Sequence, residues 1–194
     1  MIHGERIRFR APERADLPCF VAWLNDAEVR AGISAFLPMS LAREENWFEE
    51  MLKRPPEEQP FAIEAKQKEN WVLIGTTSFF DFNWRARKAE IGIMIGEKSF
   101  WDQGYGSETM LLMLRHGFET LNLHRIYLKV YSTNPRAIRA YEKVGFVHEA
   151  RLREAHYDNG GYSDDLIMSV LRHEWDEKTK TVTRGDAHGS QPKN

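Results

Sequence analysis

Cysteine is nearly absent from this chain. Cys19 is the single one in 194 residues, so neither an internal disulfide nor a cysteine zinc cluster can form. Lying in a helical pattern among apolar neighbours, Cys19 reads as a buried packing residue rather than an acyl-carrying nucleophile. Long apolar runs are missing too. Nothing approaches the ~20 residues that span a bilayer, and Met1–Arg6 lacks the apolar stretch of a secretory signal. A cytoplasmic protein with no membrane partner is therefore expected. There is no excess of positive charge: the formal net charge is −2, which argues against a nucleic-acid partner. The seven histidines show no metal-ligand spacing, so no metal is expected, and His116 and His124 read as packing or surface residues. Internal repeats and low-complexity core segments are also lacking. What remains, 42% hydrophobic and 29% charged residues, is the balance of a globular protein with the length of one domain.

Within that chain the apolar pattern switches between strand and helix periods. A strand at Ile7–Arg10 ends at Ala11-Pro12. A helix over about 15–25 carries Leu17, Phe20, Val21 and Leu24 on one face. A second runs from an N-cap at Ser40 to about Lys53 with Leu41, Trp47, Phe48, Met51 and Leu52. Strand patterns occupy Phe61–Ala65, Trp71–Phe82 and Ala89–Ile95, followed by a helix over 104–121 and a strand at Arg125–Tyr131. Asn134 as N-cap, Pro135 at the first helical position and Gly145 past the end bracket another helix. Phe146–Tyr157 and Tyr162–Leu171 predict a hairpin around Asp158-Asn159-Gly160-Gly161. The order β-α-α-β-β-β-α-β-α-β-β is a mixed α/β arrangement around one sheet. Residues 1–175 form the domain, and the polar, aperiodic 176–194 is expected to be a disordered tail.

The run Trp101-Asp102-Gln103-Gly104-Tyr105-Gly106-Ser107-Glu108 sits between the strand Glu90–Ile95 and the next helix. A glycine turn opening a helix presents unpaired N–H groups and the positive end of the helix dipole, a setting for phosphate. The Gly-x-x-x-x-Gly-Lys-Ser/Thr spacing of a nucleoside-triphosphate loop is absent. A dinucleotide fingerprint would need a third glycine or alanine where Thr109 stands. Alone, the turn is equally a tight strand-to-helix connection.

A second segment adds to it. Asn134-Pro135-Arg136-Ala137-Ile138-Arg139-Ala140-Tyr141-Glu142-Lys143-Val144-Gly145-Phe146 resembles the Asn-x-x-Ala-x-x-x-Tyr-Glu-Lys-x-Gly-Phe segment of GNAT N-acetyltransferases. Gly104-Tyr105-Gly106 resembles their acetyl-CoA pyrophosphate motif, and the likeness runs roughly from Ile7 to Trp175. Trp23–Arg30, Glu45-Asn46-Trp47-Phe48 and Tyr162–Trp175 look like the ribosomal-protein N-terminal acetyltransferase-like branch. The resemblance implies the GNAT fold, a mixed, mostly antiparallel sheet of about seven strands flanked by four helices. It implies acetyl-CoA as co-substrate, an amine acceptor, direct transfer without a metal, and the homodimers that the family often forms.

Carried onto this sequence, the resemblance assigns the pyrophosphate to N–H groups of Gln103, Gly104, Tyr105, Gly106 and Ser107, and the pantetheine arm to the strand end Ile93-Met94-Ile95. Trp101 departs from the glutamine or arginine that often opens the motif. A backbone N–H near Ile93–Ile95 would polarise the thioester carbonyl. Asn134, Ala137, Tyr141 and Lys143 fall on the co-substrate helix, with Tyr141 as the acid for the leaving thiolate. Read from the residues alone, Tyr141 is also a packing aromatic and Asn134 simply an N-cap. Some relatives carry a glutamate five residues before the asparagine, where this chain has Lys129. Glu90 is the remaining carboxylate for the base, and equally a charged strand end. Trp23, Phe36 and Trp47 fall where the family builds its acceptor wall, but suit a core as well. The acceptor the resemblance implies is a primary amine, either a protein N-terminal α-amine or a small-molecule amine, with a polyamine, a diamine or an amino sugar as the alternative. Spermidine acetyltransferases share the Asn-to-Tyr spacing, although the acidic pair they carry after the first helix is here Ala35-Phe36-Leu37. A non-catalytic acyl-CoA-binding module is the reading from another class.

Overall fold

A computed structural model describes residues 1–33, 36–158 and 160–186, the last six by backbone alone. Eight strands form one sheet in the order β1-β2-β3-β4-β5-β6-β8-β7. They are β1 (Ile2–His3), β2 (Ile7–Arg10), β3 (Phe61–Gln67), β4 (Asn70–Asn83), β5 (Lys88–Ile95), β6 (Arg125–Tyr131), β7 (Val147–Asp158) and β8 (Gly161–Leu171). Every neighbouring pair is antiparallel except β5–β6. The helices are α1 (Leu17–Asn25), α2 (Ala27–Arg30), α3 (Leu41–Leu52), α4 (Tyr105–Arg115), α5 (Pro135–Val144) and α6 (Arg172–Asp186).

Local chemistry sets the helix ends. Ser40 Oγ accepts from Arg43 N–H at 3.2 Å, and Asn134 Oδ1 from Ala137 N–H at 3.1 Å. Gly145 N–H closes α5 on the carbonyls of Tyr141 and Glu142.

The expected mixed, mostly antiparallel sheet is present, with one strand more because Ile2–His3 pairs with β2. There are also two helices more. α2 exists because Asp26 Oδ1 accepts from the N–H groups of Glu28 and Val29. α6 runs through the stretch expected to be a disordered tail. Trp175 is buried against Phe118, Lys178 Nζ donates to the carbonyl of Val144 at 2.7 Å, and the helix continues to Asp186. Of the predicted tail, 187–194 lie outside the described residues, as does Asn159 in the hairpin turn. The helix expected over 104–121 becomes a π-helical turn at His116–Thr120. His116 packs there on Phe61 and Phe79, and burial lowers its pKa, in line with a packing role. Cys19, expected to be buried, is exposed on α1, outside the buried stripe of Leu17, Phe20 and Trp23.

The two sheet faces carry separate cores. Ile91, Ile126, Leu128, Met168 and Val170 face α4 and α6. On the other face Leu73 and Met94 meet Phe20, Trp23, Phe48, Met51 and Trp47 of α1 and α3. At about 1.5–3 kcal/mol per buried side chain, this packing outweighs exposed ion pairs such as Arg14–Glu49. A polar clamp adds to it: Arg10 bonds Asp16 through both Nη atoms (2.7 and 2.8 Å) and Glu64 through Nε (2.8 Å). It ties β2 and β3 to the entry of α1.

Candidate active site

β5 and β6 run parallel over three pairs, Lys88↔Arg125, Ala89↔Ile126 and Glu90↔Tyr127, and then part. From Ile91 to Ile95 the β6-facing edge of β5 has no ladder partner among the described residues. Arg87 O accepts from His124 and Arg125 N–H, and Ile95 O from Trp101 Nε1 at 2.7 Å. Backbone groups alternate sides along a strand, so these odd-numbered residues place the N–H of Ile93 in the fork as well. A cleft of about 1060 Å³ fills the fork, and Ile93, Met94 and Ile95 line it.

The N-terminus of α4 forms one wall. Gly104 takes φ +85°, a left-handed turn that favours glycine, and provides no capping side chain. A Cβ added to Gly106 meets nothing within 4 Å, so open space lies over the first turn of the helix. The leading N–H groups have no preceding helical carbonyl to bond, and the turn fits an anionic diphosphate. Arg6 braces it from outside, through Nε to Glu108 (2.8 Å), Nη1 to the carbonyl of Gln103 (3.1 Å) and its guanidinium over the Tyr105 ring (4.5 Å). Gly104, Tyr105, Gly106 and Ser107 line the cleft. Gln103 is not among the lining residues; its amide reaches back to Ser99 O and Asp102 takes its place.

The opposite wall is α5, with Asn134, Ala137, Tyr141 and Lys143 all on the cleft. Asn134 spends its carbonyl on the N-cap bond. Sequence reasoning missed Arg136 and Arg139, which line the cleft beside Lys143. Their i, i+3, i+7 spacing, one helix face, was the available signal. The Arg136 guanidinium lies 3.5 Å from the centroid of the Trp101 ring, so Trp101 positions a cation instead of supplying one. No carboxylate among the described residues pairs with these three cations, which leaves their charge for phosphate. Tyr141 is buried, and burial pushes its phenol up to about 12.

On the α1–α3 face, Glu90 is 7% exposed and its Oε2 lies 3.2 Å from Lys129 Nζ. The base expected from sequence is thus paired with the very lysine that stands in place of the glutamate of some relatives. Trp47 lines the cleft. Trp23 does not: it is buried over Gly96 in the α1–α3 core. Phe36, 83% exposed, is also outside the cleft wall. Ala35 lies outside the described residues.

A split sheet edge, an uncapped helix terminus, a cationic stripe and a buried phenol define a fold class built to take a long phosphorylated thioester, that of the acyl-CoA-dependent acyltransferases. The chain belongs to the GNAT acetyltransferase family, whose acetyltransferase (GNAT) domain matches residues 6–147. It is similar to a spermidine N(1)-acetyltransferase of Vibrio cholerae, 38% identical over 117 residues, 59% of this chain and 64% of that protein. The chain thus aligns with just under two thirds of that relative's length. It also resembles the uncharacterized N-acetyltransferase p20 of Bacillus licheniformis, 28% identical over 90% of this chain and 97% of that one. Among solved structures, spermidine N-acetyltransferase from Vibrio cholerae in complex with CoA and spermine superimposes with a TM-score of 0.79 at 29% identity, covering 89% of this chain and 99% of that chain.

Proposed function

We propose that this protein moves the acetyl group of acetyl-CoA to a cationic primary amine by direct attack in a ternary complex. The observation that carries the reading is the fork itself, with the free β5 edge and the α4 terminus at one end and Tyr141 within the same cleft. In this reading the amine nitrogen bonds to the acetyl carbon to give a tetrahedral oxyanion, which collapses with cleavage of the carbon–sulfur bond and release of CoA thiolate. The N–H of Ile93 donates to the developing oxyanion. Tyr141 donates to the departing sulfur. Against a free thiol near ~8.5, complete transfer from a phenol at about 12 is uphill, so Tyr141 stabilises the sulfur as a hydrogen-bond donor while the bond breaks. A thiolate leaving inside the same cleft also loses hydration, which raises its own proton affinity and narrows the gap. Glu90, held by Lys129, or solvent takes the amine's proton.

Two things support a cationic acceptor: the carboxylates Glu44, Glu90 and Asp165 lining the cleft away from the Arg136–Lys143 stripe, and spermidine as the substrate named for relatives. An N-terminal α-amine or an amino sugar is the alternative acceptor. A cytoplasmic location and self-association belong to the same reading and rest on the family resemblance. The test is release of CoA thiol from acetyl-CoA with a panel of spermidine, a ribosomal-protein N-terminal peptide and an amino sugar. Thiol release with spermidine is expected. Acetyl-CoA binding without thiol release for any amine overturns transfer in favour of a binding module.

A further inference from the structure

Two carboxylates on the acceptor side, Glu44 and Asp165, form no ion pair among the described residues. Glu44 of α3 is 4% exposed and lines the cleft, yet among the described residues its carboxyl group has neither a hydrogen bond nor an ion pair, and Arg43 is the charge that acts on it. With Trp47, Phe48 and Met51 it completes an i, i+3, i+4, i+7 stripe, the position of an apolar residue. Asp165 of β8 lines the same cleft and its Oδ1 is buried without a partner among the described residues. The register places Asp165 opposite Tyr131, on the sheet face that also carries Glu90 and Lys129. α3 packs over that same face through Trp47 and Met94. Among the described residues these two acids thus line the cleft without an ion pair from α3 and β8, while Arg136, Arg139 and Lys143 line it from α5. Burial raises the pKa of Glu44, the mark of a carboxyl group kept from water without a counter-ion. A buried carboxylate left unpaired is costly to the fold; an incoming ammonium removes that cost.

We propose that Glu44 and Asp165 are the specificity-determining residues for the acceptor. Each holds a protonated, non-reacting amino group of a polyamine while its free primary amine meets the thioester beside Tyr141. The assignment rests on the acetyl-transfer reading above. It selects a triamine over a diamine, and a diamine over a monoamine.

The test compares wild type, Glu44→Gln, Glu44→Asp and Asp165→Asn with spermidine, 1,4-diaminobutane and propylamine, alongside calorimetric titration of spermidine into the CoA-loaded protein. Glu44→Gln is expected to raise the KM and Kd for spermidine at least tenfold, with kcat changed about twofold or less. The preference for spermidine over propylamine falls by the same factor, and acetyl-CoA affinity stays as in wild type. Glu44→Asp retains part of that preference, and Asp165→Asn lowers it independently. Because the substitution removes an uncompensated buried charge, Glu44→Gln melts at or above the wild-type temperature at pH 8. A merely structural glutamate would lower it. Unchanged spermidine Kd in Glu44→Gln, a matching rise in acetyl-CoA KM, or wild type using propylamine as well as spermidine overturns the assignment. Wild type that binds acetyl-CoA but not spermidine overturns this assignment alone, whereas failure to bind acetyl-CoA overturns the transfer reading.

Discussion

Gly106→Ala separates a structural glycine from a ligand-facing one. Gly106 is the second residue of α4 and has no positive φ, and its added methyl meets no protein atom within 4 Å. Alanine is the better helix former by up to about 1 kcal/mol, so the variant should be as stable as wild type or melt up to about 4 °C higher, at roughly 2–4 °C per kcal/mol for a chain of this size. The methyl occupies the space through which a diphosphate would approach the helix N–H groups. Losing one charge-assisted hydrogen bond costs about 1.5–3 kcal/mol, roughly 10- to 150-fold in Kd. Thermal melting with CoA reads both effects at once. At a CoA concentration of about 100 times its Kd, wild type gains about 2.7 kcal/mol of stability. A variant binding about 30-fold more weakly gains only about 0.9 kcal/mol at that concentration. Gly104→Ala is the contrast, since its φ of +85° makes alanine strained and lowers the unliganded melting temperature by roughly 2–8 °C for a cost of about 1–2 kcal/mol. Equal CoA-induced shifts in wild type and Gly106→Ala would falsify the cradle.

Tyr141→Phe keeps the ring packing on Phe146 and removes only the donor. It should lower kcat by about 10²-fold or more with acetyl-CoA Kd unchanged, measured by thiol release and calorimetry; full activity refutes the donor role. Arg10→Ala leaves Asp16 and Glu64 without their shared partner. The clamp is 21% exposed at Arg10, so the low end of the range for a broken buried pair applies, about 3 kcal/mol or roughly 6–12 °C in melting temperature. Burial works to raise the pKa of both carboxyl groups, but the Arg10 hydrogen bonds, with Glu13 N–H at Asp16 and Arg8 at Glu64, outweigh it and lower both. A depressed carboxylate contributes stability above its unfolded pKa of about 4 and loses it as pH falls through the folded value. Wild type should therefore lose more stability than Arg10→Ala between pH 5 and pH 2, and parallel acid profiles would refute the clamp.

The elements flanking the fork were legible because short-range chemistry defines them. Ser40, Asn134-Pro135 and Gly145 act on their own helix ends, and the Gly104 turn needs only its own backbone. What decides burial across the sheet was not legible. Glu44 sits among Glu45, Glu49 and Glu50 and resembles a solvated face until its place in the stripe of Trp47, Phe48 and Met51 is counted. Trp23 and Trp47 are both aromatic helix residues. Only the third dimension separates the one packed over Gly96 from the one facing the cleft. α6 escaped notice because its residues have little apolar periodicity. Trp175 anchors its start and Lys178 docks on the end of α5, contacts made to residues more than 30 positions away.

The fork also divides the molecule by origin. In the proposed reading, cleft residues of β5, α4 and α5 such as Ile93, Gly106 and Tyr141 hold the phosphorylated donor, and others such as Phe20, Glu44, Trp47 and Asp165 meet the amine. The first set relies in large part on backbone N–H groups and a helix terminus, which side-chain replacement elsewhere leaves in place, with the cations of α5 added to them. The second relies on side chains that can be exchanged one at a time. Descendants of such a chain can therefore drift from one acceptor to another without renegotiating how they hold the donor.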